Sequence, residues 1–176
     1  MNSQIIKDSR LAEEYLRVEH PSGLTMLLYP MKGFSTAYAM FSTKYGSIDT
    51  CFQRGEDADF VKVPEGIAHY LEHKMFESEE GDAFEKYAQT GASANAFTSF
   101  DKTCYLFACT DRFQESLEIL LDCVTHPYFT KETVEKEQGI IGQEIRMYED
   151  DPGWRVMFNL LQSLYQNNSV KVDIAG

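Results

Sequence analysis

The sequence predicts an α+β domain, an antiparallel β-sheet with helices packed on one face, and two observations carry that expectation. Segments rich in alternating apolar residues cluster early in the chain and again around residue 100, whereas the long stretches of helical periodicity follow later. Strands and helices are therefore segregated rather than alternating, which points away from βαβ units and a parallel sheet. A chain of 176 residues is also long enough to bury a core without metals or disulfides as staples.

The elements follow in order. "EYLRVEHPSGLTMLLYP" reads as two strands around a Pro-Ser-Gly turn and "STAYAMFSTKYGS" as a third, so residues 1–48 are expected to form a β-meander. The polar stretch over residues 49–63 is expected to be a loop inside one domain spanning 1–176, and residues 64–176 carry the helices and two further strands. "GDAFEKYAQTG" opens on Asp82, three residues before Glu85, and closes on Gly91, the pattern of a short capped helix. "SANAFTSF" and "KTCYLFACT" read as an antiparallel pair. Phe113, Leu117, Leu120, Leu121 and Val124 form the stripe of a helix that stops at Pro127. Thr130 can cap the next helix, with Val134, Ile141, Ile145 and Tyr148 on its apolar side. A last helix after Asp151 and Pro152 is expected to bury Met157, Leu160, Leu161 and Leu164.

Composition excludes several classes of partner. A net charge of −12 disfavours nucleic acid and anionic membranes, which need a basic surface, and is compatible with peptides. The apolar runs are too short to span a bilayer. The opening "MNSQIIKDSRLAEEYL" reads as neither a signal nor a transit peptide, so a cytoplasmic location is expected. Cys51, Cys104, Cys109 and Cys123 form no CxxC pair and are expected to be small buried hydrophobes in a reducing compartment.

The chemistry is concentrated in "PEGIAHYLEHKMFE", which holds two of the four histidines. Ile67, Tyr70, Leu71 and Met75 fit one helical stripe, and His69, Glu72 and His73 share the neighbouring one. Histidines four apart can direct both imidazoles at one cation, and zinc takes neutral imidazole well. Glu72 lies close enough on the same face to accept a proton from a water held by that metal. The competing reading is a solvated polar face.

Two histidines call for a third ligand, and "EKEQGIIGQEI" offers a carboxylate at Glu137 or Glu144, seven residues apart and so on one helical face. Spacing does not choose between them. His20 and His126, beside prolines at turns, are expected to be structural.

"HYLEH" has the H-x-x-E-H form of the inverzincins, and with "SANAFTSFDKTCYLF" and "EKEQGIIGQEIRMYEDDP" following in order it resembles the pitrilysin/insulinase family of zinc endopeptidases. The likeness is nearest to uncharacterised bacterial members related to processing peptidases. It implies that His69, His73 and Glu144 bind zinc, that Glu137 orients a ligand histidine, and that Glu72 is the general base activating a zinc-held water. It also implies that Asn95 and Ala96 hold a peptide substrate added to the strand edge. Family members are built from two homologous halves, and this chain resembles the first part of the first half. The expected partner besides the peptide is therefore the missing C-terminal half or a homologous subunit. The alternative function is a peptide-binding half that cleaves nothing without that partner.

Overall fold

The computed structural model describes residues 2–55 and 59–176, which form two compact units, Met1–Ser35 and Thr36–Gly176. The first is an antiparallel meander of β1 (Asn2–Asp8), β2 (Glu13–Glu19) and β3 (Thr25–Leu28). Asp8 closes its first turn by accepting from the backbone N–H of Arg10 and Leu11 at 2.8 and 3.3 Å. His20 sits in the second turn, its Nδ1 2.7 Å from Ser22 Oγ, which is the structural place its Pro neighbour suggested. Only two of the three strands expected there belong to this meander. The third is supplied by Asn2–Asp8, and "STAYAMFST" pairs elsewhere.

The second unit is built on a three-stranded antiparallel sheet in the order β4 (Ala37–Thr43), β10 (Thr103–Cys109), β9 (Ser93–Thr98). Burial alternates along its outer strands, and the central β10 is buried on one face and, at Cys104, on the other as well. Tyr105, Phe107 and Cys109 are buried, opposite Phe41, Ala39 and Ala37 on one side and Ala96 and Ala94 on the other. On the other face Tyr38, Met40 and Phe97 are exposed. The buried face joins Phe76, Ala83, Tyr87 and Leu120 in one core. Phe107 is wholly buried there, a burial that contributes about 1.5–3 kcal/mol.

Between β4 and the first helix lies a small hairpin of β5 (Cys51–Phe52) and β6 (Val61–Lys62), inside the stretch expected to be all loop. Residues 56–58 of that loop lie outside the described residues. Cys51 is exposed, contrary to expectation, whereas Cys104 and Cys109 are buried and burial pushes the half-buried Cys123 thiol up to about 11.

Five α-helices, α1 (Ile67–Lys74), α2 (Ala83–Thr90), α3 (Phe113–Thr125), α4 (Lys131–Glu149) and α5 (Pro152–Leu164), and a short 3-10 helix over Ser169–Lys171 complete the unit among the described residues. A hairpin of β7 (Glu77–Ser78) and β8 (Gly81–Asp82) joins the first two. The caps are those the sequence promised. Asp82 accepts from Phe84 N, Thr130 from Thr133 N, and Asp151 from Trp154 N. Gly91 ends α2 in the left-handed region at φ 75°. His126 caps the end of α3 beside Asp122, 3.0 Å away. In α3 Leu120 is buried while Phe113 and Leu121 sit at the exposed margins.

The last helix departs from its expected face. Phe158 is its buried residue, against Trp154 and Phe100, and Met157, Leu160 and Leu164 are exposed. No helix among the described residues is long and apolar enough to cross a membrane.

What fixes the start of α1 is backbone contact. Its N-cap, Gly66, has φ 76°, and a Cβ there would lie 2.6 Å from Ala175 O and 2.7 Å from Gly176 Cα. Gly66→Ala combines left-handed strain of about 1–2 kcal/mol with a backbone collision that no rotamer relieves. The expected result is a melting temperature lower by more than about 4 °C, read by calorimetry. An unchanged melting temperature would mean the Ala175–Gly176 segment does not brace this helix.

Candidate metal centre

No residue of α1 is fully exposed, so its polar stripe is not a solvated face. His69 is 7% exposed, and Lys74, at the end of the helix, is wholly buried and paired with Glu77. Glu77 also lies 3.8 Å from Lys136, and Tyr70 Oη donates to Val134 O at 3.0 Å. These contacts tie α1 to α4, the helix that carries both candidate glutamates.

His69 and His73 stand one turn apart with ring centroids separated by 4.8 Å and planes at 77°. His69 Nε2 lies 3.5 Å from Glu144 Oε1, and His73 Nε2 lies 3.3 Å from Glu144 Oε2. One donor atom from each of the three residues falls within 4.8 Å of the others. Around a tetrahedral zinc, ligands at about 2.0–2.1 Å place neighbouring donors about 3.3 Å apart. Each histidine nitrogen lies near that distance from one oxygen of Glu144, His69 from Oε1 and His73 from Oε2.

Hydrogen bonding orients one ring and burial acts on the other. His73 Nδ1 donates to the buried Glu137 carboxylate at 2.9 Å, which fixes the ring's direction and turns Nε2 toward Glu144. Burial pushes the His69 imidazole below its ordinary value, more than the Glu144 and Glu72 carboxylates raise it, so this ring favours the neutral form a metal needs. His69 Nδ1 is buried with no hydrogen-bond partner among the described residues, so packing rather than an outer carboxylate holds that ring. Glu144 is steadied by Tyr148 Oη, which donates at 2.9 Å; burial and that carboxylate push the Tyr148 phenol up to about 12.

Glu72 faces the same cavity of about 200 Å³ as the two histidines and Glu144. Its Oε2 accepts from Thr98 Oγ1 at 2.6 Å. The opposite wall is Ala96, Phe97 and Thr98 of β9, an edge strand of the described sheet. Tyr148, Trp154, Ile174 and Ala175 close the rest. Trp154 stacks on Tyr148 at 4.4 Å and donates through Nε1 to Asp173 at 2.6 Å. Asn95 is not part of this lining. It is exposed, and its Oδ1 accepts from the Ala96 N–H at 2.9 Å.

The structure thus gathers His69, His73, Glu144, Glu137, Glu72 and Ala96, and it places Glu144, not Glu137, before both Nε2 atoms. Sequence reasoning missed Thr98, Trp154 and Asp173, and took Tyr148 for a merely apolar position. Thr98 could have been found by parity, since it shares a strand face with Ala94 and Ala96.

The two histidines and the carboxylate, with His69 buried and His73 and Glu144 half-buried, meet beside an edge strand of the described sheet, and comparison with known proteins gives the chain its family. The profile of the family described as Insulinase (Peptidase family M16) matches residues 54–176, and the chain belongs to that family. It is 50% identical over 171 residues to the uncharacterized zinc protease YmfH of Bacillus subtilis, covering 97% of this chain and 40% of that protein. The crystal structure of a putative M16-like peptidase from Alicyclobacillus acidocaldarius superposes with a TM-score of 0.87 at 43% identity, over 92% of this chain and 38% of that one. Pitrilysin shares the fold, with a TM-score of 0.78 at 19% identity over 99% of this chain and 19% of its own.

Proposed function

We propose that this chain carries the zinc site and general base of a metalloendopeptidase that hydrolyses peptides. The observation that carries the reading is the meeting of His69 Nε2, His73 Nε2 and the Glu144 carboxylate, with Glu72 on the same cavity. His69, His73 and Glu144 would hold the metal, and Glu137 would keep His73 aimed at it. Zinc bound there supplies Lewis-acid polarisation of the oxygens it meets. Glu72 takes the proton of the attacking water and returns it to the leaving amine.

The peptide adds to the free edge of β9 as an antiparallel strand, its backbone bonding near Ala96, a mode largely indifferent to sequence. Small residues at Ala94 and Ala96 leave room for it. Asn95 joins by moving its acceptor from the Ala96 N–H to the peptide. The chain spans 40% of the length of YmfH, and the groups that stabilise the oxyanion are assigned to the rest of the polypeptide or to a homologous subunit.

Elemental analysis of protein purified without chelator is expected to find about one zinc per chain, the stoichiometry of a three-ligand catalytic site. Absence of zinc after incubation with excess metal would defeat the reading.

A further inference from the structure

A general base works only if its free lone pair is held in one direction, and a glutamate side chain has three rotatable bonds with which to lose it. Thr98 Oγ1, 2.6 Å from Glu72 Oε2, is the group that removes this freedom. The direction of its proton is fixed by its surroundings. Thr103, its register partner on β10, lies 3.5 Å away but donates its own hydroxyl proton to Tyr45 O at 2.8 Å. Thr98 therefore donates to Glu72, which occupies Oε2 and leaves Oε1 free for a proton. The support is rigid, because Thr103 is 2% exposed and Thr98 ends a strand paired along its length.

We propose that Thr98 is a positioning residue for Glu72, coupling the substrate-bearing edge strand to the base. It stands two residues from Ala96 on the same strand face, so the strand that sets the depth of the peptide carbonyl also sets the carboxylate meant to serve it. The inference rests on the reading of Glu72 as the base.

The test compares Thr98→Val, Thr98→Ser and Glu72→Gln in the full-length polypeptide, measuring kcat, KM and zinc content with a peptide substrate. Valine keeps the shape and β-branching but not the hydroxyl, and serine keeps the hydroxyl. Thr98→Val is expected to lower kcat by about tenfold to a hundredfold with KM and zinc content little changed, the size of effect that misdirection of a catalytic group produces. Thr98→Ser is expected to restore most of the rate. Wild-type kcat in Thr98→Val beside an inactive Glu72→Gln overturns the role of Thr98 alone. Loss of zinc in Thr98→Val, or an equal fall in both Thr98 variants, also overturns it by making the residue structural. Wild-type turnover in Glu72→Gln overturns the base reading and this inference with it.

Discussion

Glu72→Gln is expected to retain about one zinc per chain and to lower peptide turnover by about 10²–10⁴-fold, the range that general acid–base catalysis contributes. Gln is isosteric and its Oε1 can still accept from Thr98 Oγ1, so the helix and the cavity wall keep their shape. What is lost is an ionised acceptor facing the cavity shared with His69, His73 and Glu144. Because Glu72 is not among the three residues whose donor atoms converge, metal content separates proton transfer from metal binding. The measurement is single-turnover cleavage of a peptide by the full-length polypeptide, beside elemental analysis. Turnover at the wild-type rate with zinc present would remove Glu72 from the chemistry. Loss of zinc together with activity would place it among the ligands.

Much of this site was legible because a helix is a local object. Four residues of spacing set His69 and His73 on one face whatever surrounds them, and seven set Glu137 and Glu144 on another. Which glutamate meets the imidazoles depends on how α4 lies across α1, and no spacing within α4 contains that. The same limit explains Thr98, which reaches Glu72 across 26 residues of chain, and Asp173, which reaches Trp154 across 19.

Strand partners failed for a related reason. Alternation marks Ala37–Thr43 as a strand but does not say that it pairs with β10 rather than with β3. On α5, Met157, Leu160 and Leu164 make a plausible buried stripe, yet Trp154 and Phe158 form a second, and the stacking of Tyr148 on Trp154 decides which one turns inward. Residues Thr36–Gly176 hold every group of the proposed centre, so the division of the chain into two units leaves the site undivided.

Glu144→Gln is expected to weaken zinc binding by more than the about 10–100-fold that loss of an outer-sphere partner costs, whereas Glu137→Gln stays within that range. The difference follows from what each carboxylate touches. Glu144 faces both Nε2 atoms, so neutralising it takes away a charged ligand. Glu137 touches the far side of His73, and a glutamine there still offers an amide oxygen to Nδ1–H. Competition with a chelator of known affinity reads both effects. A larger loss of zinc affinity in Glu137→Gln than in Glu144→Gln would exchange the two assignments.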